Sequence, residues 1–87
     1  MKERRKKILK AVVKEYQRTG QPVASRDLAR RGHFDFSPAT MRAEMLVLDK
    51  EGFLQQPHTS AGRLPTDKAW RFFIEEFGEE ELNASDR

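Results

Sequence analysis

Glycines at positions 20, 32 and 52 divide the first part of the chain into three segments with helical periodicity. In residues 3–19 the apolar side chains recur at i, i+1, i+4, i+5 and i+8, which is one face of a helix. A shorter helix is predicted over residues 26–31, with Ser25 as its N-cap. A third is predicted over residues 38–51. Because each has a single apolar face, the three helices are expected to pack against one another.

Ser37 and Pro38 mark the start of the third helix. An N-cap serine accepts from an amide of the first turn, and proline at the first helical position lacks an amide that would be unpaired anyway. The buried stripe is predicted to contain Met41, Met45 and Leu48. The opposite side carries small or hydrogen-bonding side chains in its first two turns: Ala39, Thr40, Arg42 and Ala43.

Residues 53–56 and 63–64 are predicted to be two short strands of a hairpin. The segment of residues 57–65, which contains the loop between them and the second strand, reads PHTSAGRLP. Its two prolines stiffen the ends, and Gly62 permits a positive φ. Before the second helix, residues 22–24 are long enough only for an extended link or an edge β-bridge.

The last helix is predicted to begin after Thr66, whose hydroxyl can cap it. Its apolar face is predicted to contain Trp70, Phe73, Ile74 and Phe77. Phe72 falls outside this face, and because burying such a side chain is favourable, an adjoining surface could cover it. From residue 78 the sequence is acidic and lacks a packing face. Residues 1–77 are therefore predicted to fold, and residues 78–87 to form a disordered tail.

The order of these elements predicts a mainly α fold with a small β-hairpin. Two short helices joined by a turn and followed by a hairpin describe a winged helix-turn-helix, with a three-helix core, a wing and a C-terminal helix. In such folds the second helix of the motif enters the major groove of DNA with its N-terminal residues. The helix over residues 38–51 is thus the predicted recognition helix, and residues 57–65 are the predicted wing.

The charge distribution is compatible with a polyanionic partner. Residues 1–20 hold eight Lys and Arg against two Glu, a net charge of +6, whereas residues 66–87 hold three against seven, a net charge of −4. A basic front and an acidic rear favour one surface built for a polyanion. A charge run that is merely solvated explains the same numbers equally well.

Several classes of function lack support in the sequence. The chain has no cysteine, which excludes disulfides, thiolate catalysis and a Cys-ligated zinc. His33 and His58 lie far apart without a paired carboxylate, and no nucleophile–base arrangement is visible, so we expect no metal, cofactor or enzyme activity. No apolar run approaches the roughly 18 residues of a membrane span, and no signal peptide is evident. A cytoplasmic protein without membrane contact is expected.

The segments SPATMRAEM and LDKEGFLQQPHTSAGRLPTDKAWRFF resemble the N-terminal DNA-binding domain of the heat-inducible transcription repressor HrcA family. The similarity extends over roughly residues 4 to 77, and its wing segment is very specific. The resemblance implies a repressor of chaperone genes that binds an inverted repeat in duplex DNA as a homodimer in its full-length context. It also allows a chaperonin as a partner. In the family the last helix leads into a large C-terminal part for dimerisation and regulation, which implies that Phe72 faces either that part or a second copy of the chain.

One departure from the family concerns base recognition. The family tends to have asparagine where this chain has Ala43, and alanine cannot make the bidentate contact to adenine that asparagine makes. We expect Arg42 to read guanine, with Ala39 and Ala43 permitting close approach or touching thymine methyl groups. Ser37 and Thr40 are predicted to donate to phosphates, although Ser37 could serve as a cap alone.

The predicted wing contacts are those of a loop that approaches the backbone or the minor groove. Arg63 supplies a cation suited to a phosphate or a narrow minor groove. The other predicted wing residues are His58, Thr59, Ser60 and Gly62. Flanking backbone contacts are predicted for Lys6, Lys7 and Arg26, for each of which a solvated face is an equal alternative.

The same fold could instead bind RNA or dock onto a protein. A docking surface should show exposed apolar side chains, and Phe72 is the candidate for one. Arg63 and the small side chains of the loop favour a groove of DNA.

Overall fold

The computed structural model describes residues 1–32, 34–58 and 61–85, with side chains described up to residue 78. His33, Thr59 and Ser60 lie outside the described residues. The elements, in chain order, are α1 (Glu3–Thr19), α2 (Ser25–Arg31), α3 (Pro38–Lys50), β1 (Leu54–Gln55), β2 (Leu64–Pro65) and α4 (Asp67–Ser85). The predicted mainly α fold with a hairpin, a winged helix-turn-helix, is confirmed.

The core lies between α1, α2 and α3, and β1 and α4 close it. The predicted stripes of α1 and α3 supply most of it, and Leu28 is the buried residue of α2. Gly20 ends α1 with a φ of 69° and donates its amide to the carbonyl of Tyr16. The fully buried side chains of the two long stripes are Ile8, Leu9, Val12, Val13, Met41 and Leu48.

The link before α2 forms a β-bridge, which is one of the two forms that the sequence allowed. Val23 and Arg63 exchange both backbone hydrogen bonds at 2.8 Å. The predicted cap of α2 is wrong, because Ser25 is the first helical residue and Ala24 holds the cap position without a side-chain hydrogen bond. The bridge at Val23 keeps the link extended, and the chain enters the helix one residue earlier than the serine suggested.

The hairpin is antiparallel, with Leu54 opposite Pro65 and Gln55 opposite Leu64. The second strand begins one residue later than predicted because Arg63 pairs with Val23 instead. Gly62 does not adopt the positive φ that glycine permits, since Gly20 and Gly52 are the described glycines with positive φ. A Cβ on Gly62 would lie 2.9 Å from the carbonyl carbon of Pro22, so glycine is required by this close approach.

Helix α4 begins as predicted, with the amide of Ala69 donating to the Thr66 hydroxyl at 3.3 Å. The predicted exposure of Phe72 is wrong. Its ring packs against Phe53, with centroids 5.6 Å apart and planes at 72°, whereas Ile74 is 65% exposed. The reason is Ala69, which is fully buried and turns the side of α4 that carries residues 69, 72 and 73 towards the core.

The backbone of α4 remains helical as far as Ser85, so residues 78–85 are not the unstructured tail that the sequence predicted. This segment contains glutamate, leucine and alanine, which favour helices, and no proline. A domain boundary at residue 77 stays a prediction. Among the described helices, none is both long and apolar enough to cross a membrane.

Candidate nucleic-acid interface

The N-terminus of α3 is capped as the sequence predicts. The Ser37 hydroxyl oxygen accepts from the Thr40 amide at 3.2 Å, and the two hydroxyls lie 3.1 Å apart. Ala39, Arg42 and Ala43 are exposed on the side of α3 opposite its buried stripe. Arg42 is thus a cation on a face of small side chains, which can approach a groove closely.

A buried glutamate fixes the orientation of α3 against α1. Glu44 is 7% exposed, and its carboxylate accepts from the Arg5 guanidinium at 3.0 Å. Arg4 lies 3.8 Å from the other carboxylate oxygen. The sequence interpretation missed Glu44, although its spacing from Met41 and Leu48 places it on the buried face. Because the carboxylate is held on the inner side, the small-residue side of α3 faces outward.

The cations of α1 do not form one surface. Lys6 lies 3.6 Å from Glu76 of α4, and Lys10 lies over the Phe77 ring at 4.7 Å. Lys6 is therefore turned towards α4, and the structure does not bring it to the predicted interface. Lys7, in contrast, shares a cleft with Ser37 and Thr40.

This cleft at the N-terminus of α3 also contains Arg4, which the sequence interpretation missed. The Arg4 guanidinium lies 5.6 Å from the centroid of the Phe36 ring, which holds it beside the helix end. Asp35 lines the same cleft and offsets part of the positive charge. Two cations, a helix N-terminus and two hydroxyls together suit the binding of one phosphate.

The exposed arginines of α2 lie next to α3. Arg26 and Arg30 share a shallow cleft with Pro38 and Arg42. The structure thus places Arg26 beside Arg42, and its contact with DNA stays a prediction; Arg30 is a further cation that the sequence interpretation missed. The spacing of i, i+4 places the two arginines on one face of α2, and this pattern could have indicated Arg30 from the sequence.

The guanidinium of Arg63 is used within the protein. Its Nε donates to Asp49 Oδ2 at 2.7 Å, and its Nη1 donates to the carbonyl of Ala61 at 2.9 Å. The side chain is 13% exposed. These bonds fasten the wing to the C-terminal half of α3, so they favour a positioning role over the predicted one. A direct contact of Arg63 with DNA stays a prediction.

The other wing residues occupy different surroundings. His58 is exposed, whereas Gly62 is buried beneath Pro22 and contributes to the shape of the loop. The predicted contacts of Thr59 and Ser60 lie outside the described residues. One exposed residue of α3 was not predicted at all: Leu46 is 46% exposed, one turn beyond Arg42 and Ala43.

Comparison with known proteins gives close relatives. The chain is 53% identical over 73 residues to a heat-inducible transcription repressor HrcA from Natranaerobius thermophilus. The aligned region covers 84% of this chain and 21% of that protein. An HrcA from Moorella thermoacetica is 51% identical over 75 residues, with 86% and 22% covered. One from Desulforudis audaxviator is 46% identical over 84 residues, with 97% and 24% covered. No family model matches the chain.

The fold also matches a solved structure. The crystal structure of a hypothetical protein, at 2.2 Å resolution, superposes with a TM-score of 0.86 and 42% sequence identity. The match covers 91% of this chain and 25% of that one. The chain spans between 21% and 24% of the length of the three HrcA relatives described above.

Proposed function

Because this chain belongs to the HrcA family of heat-inducible transcription repressors, as its homology over most of its length shows, we propose that it binds duplex DNA sequence-specifically. It would supply the DNA-reading part of a transcriptional repressor of chaperone genes. The observation that carries the proposal is the exposed side of α3, where Arg42 lies among small side chains.

The proposed contacts with DNA are of two kinds, those to bases and those to the phosphate backbone. In the proposed complex α3 enters the major groove, and Arg42 reads a guanine through its O6 and N7 atoms. Arg4 and Lys7, with the hydroxyls of Ser37 and Thr40, bind one phosphate at the helix N-terminus. Arg26 and Arg30 contact the backbone on the other side of α3. The wing tip, including His58, Thr59 and Ser60, approaches the backbone or the minor groove.

The partner arrangement follows from the family. We propose that the full-length protein binds an inverted repeat as a homodimer, with one copy of this chain on each half-site. The same proposal includes a chaperonin as a partner of the full-length repressor. Neither partner is needed for the base contacts of a single copy.

A salt series tests the proposal. Fluorescence anisotropy would measure the affinity of the 87-residue chain for a duplex selected from a randomised pool, and for a scrambled duplex of the same composition. Four phosphate-contacting cations predict a slope of about −3.6 in log K against log salt, or roughly a 10²-fold loss between about 50 and 200 mM. Affinity that is flat with salt, or equal for both duplexes, would contradict sequence-specific binding.

Two arginine variants form a matched pair. Arg42→Ala should remove the preference for the selected duplex, whereas Arg71→Ala removes an exposed arginine of α4 and should leave that preference unchanged. A double-stranded RNA of the same sequence serves as the competitor for the alternative function. Tighter binding to the RNA than to the DNA would replace the proposed function with RNA binding.

A further inference from the structure

Leu46 lies at the centre of the exposed face of α3. Positions 39, 42, 43, 46 and 50 are spaced i, i+3, i+4, i+7 and i+11, which places them on one side of the helix. Leu46 is 46% exposed and is not among the apolar residues that pack against the core. A large apolar side chain in the middle of a predicted DNA-reading face requires an explanation.

The geometry of a helix brings Leu46 within reach of the bases that the first two turns approach. A helical side chain leans towards the N-terminus, so Leu46 covers the surface beside Arg42 and Ala43. The helix rises about 1.5 Å per residue, so Ala39 and Leu46 are about 10 Å apart along its axis, roughly three base-pair steps. Since alanine is short, the helix can lie deep enough for a leucine one turn later to touch base edges.

The surroundings of Leu46 favour DNA over a second copy of the chain. Besides Leu46, the exposed side of α3 offers only two alanines as apolar surface, far less than the ~1,000 Å² or more that a specific protein interface buries. Arg42 and the exposed Lys50 flank the leucine on the same side of the helix. A small apolar spot between two cations complements a polyanion that carries methyl groups in its groove.

We propose that Leu46 is a specificity-determining residue that packs against the C5-methyl group of a thymine, beside the base read by Arg42. This inference rests on the proposed function. Ala39 and Ala43 carry no hydrogen-bonding group for a base edge, so on this side of α3, all of which the structure describes, Arg42 and Lys50 are the charged readers. Contact with thymine methyl groups, which only thymine presents in the major groove, supplies discrimination that these two cations lack.

Deoxyuridine substitution tests the contact directly. Deoxyuridine lacks the C5-methyl group of thymine and keeps the same base-pairing edge. Each thymine of the duplex selected by the 87-residue chain would be replaced in turn, and the Kd measured by anisotropy at fixed salt. We expect about a three- to fivefold loss at one thymine in each half-site, the effect of removing one methyl group from an apolar contact.

Variants assign that loss to the leucine. Leu46→Ala should weaken binding to the thymine duplex by a similar factor and abolish the response at the sensitive position. Leu46→Asn, which keeps the size and branched shape of the side chain but makes its tip polar, should also abolish it. Ile74→Ala removes another exposed aliphatic side chain, 65% exposed on α4, and should respond to deoxyuridine as the unmodified chain does.

The outcomes separate this inference from the function on which it rests. If no deoxyuridine position matters while the selected duplex is still preferred, the Leu46 contact is refuted and duplex recognition stands. A deoxyuridine response that both Leu46 variants retain refutes it as well. If Leu46→Ala instead lowers self-association in sedimentation, the leucine belongs to an interface between copies. Failure to prefer any duplex would reject the proposed function itself.

Discussion

Replacing Arg63 tests whether this arginine positions the wing or touches DNA. The Arg63→Gln variant removes a charged hydrogen bond of 2.7 Å to Asp49 and can no longer hold the Ala61 carbonyl in the same way. The side chains of Arg63 and Asp49 are 13% and 23% exposed, so the pair is intermediate between surface and buried. Surface pairs contribute up to about 1 kcal/mol, and hydrogen bonds to charged groups about 1.5–3 kcal/mol. We expect a loss of about 2 kcal/mol in the free energy of unfolding.

A double-mutant cycle of Arg63→Gln and Asp49→Asn isolates the interaction between the two side chains. Asp49 Oδ1 is buried and has no hydrogen-bond partner among the described residues, so removing Arg63 leaves that carboxylate with little to offset its desolvation. Asp49→Asn should therefore cost less in the Arg63→Gln background than in the unmodified chain, with a coupling free energy of about 1–2 kcal/mol. Urea unfolding followed by the fluorescence of Trp70, the single tryptophan, measures all four members.

The salt dependence of DNA binding gives the second readout. Removing a cation that binds a phosphate lowers the salt slope by about 1, whereas a wing that is less well positioned weakens binding without changing the slope. We expect Arg63→Gln to weaken binding at every salt concentration with an unchanged slope. If the variant is as stable as the unmodified chain and its slope falls by about 1, Arg63 contacts phosphate and the positioning role is refuted.

Other perturbations test the remaining parts of the proposal. Arg42→Ala should cost about 1–3 kcal/mol on the preferred duplex and relax base choice at one position, and equal weakening on every sequence would make Arg42 a phosphate contact. Glu44→Ala leaves the Arg5 guanidinium without its partner and should destabilise the fold by about 3 kcal/mol in urea unfolding, with no loss if α3 is held by apolar contacts alone. The hydrogen bond from Arg18 lowers the pKa of Glu15, so its stabilising effect is complete above the ordinary glutamate pKa and disappears as pH falls through the lowered value. The stability difference between the unmodified chain and Glu15→Gln should accordingly vanish in acid, and a constant difference would contradict the ion pair. Linking two copies should raise avidity on an inverted repeat by about 10²–10⁴-fold, and no gain on correctly spaced half-sites would reject the dimeric arrangement.

The sequence predicted those elements whose signals are local. Ser37 and Pro38 define the start of α3 because a cap depends only on residues within one turn. The buried face of α4 was predicted wrongly because two apolar stripes overlap on this helix. The stripe that contains the small residue Ala69 is the one that packs against the core. The partners of Arg63 and Glu44 lie 14 and 39 residues away along the chain, so no local pattern could indicate either pair.

The charged residues of α1 show why the net charge of a chain segment does not predict the charge of one protein surface. Consecutive lysines and arginines point in different directions because each residue turns the helix by about 100°. Lys6 therefore faces Glu76, Arg5 faces Glu44, and Lys7 alone of these three lies beside the N-terminus of α3. The cations at the candidate interface come from α1, α2 and α3 together. The inference of DNA binding consequently depends on the outward side of α3 more than on the net charge of +6 over residues 1–20.

The wing sequence has a structural explanation that does not involve DNA. Gly62 is required because Pro22 approaches it closely, and Arg63 forms both a bridge with Val23 and an ion pair with α3. At the other end of the hairpin, the Thr66 hydroxyl donates to the Gly52 carbonyl at 2.6 Å while it caps α4. Each of these residues fixes the position of the wing relative to α3. A loop with these residues can therefore identify the family even where its side chains contact only the protein, and the selectivity for bases is then expected to come from the exposed side of α3.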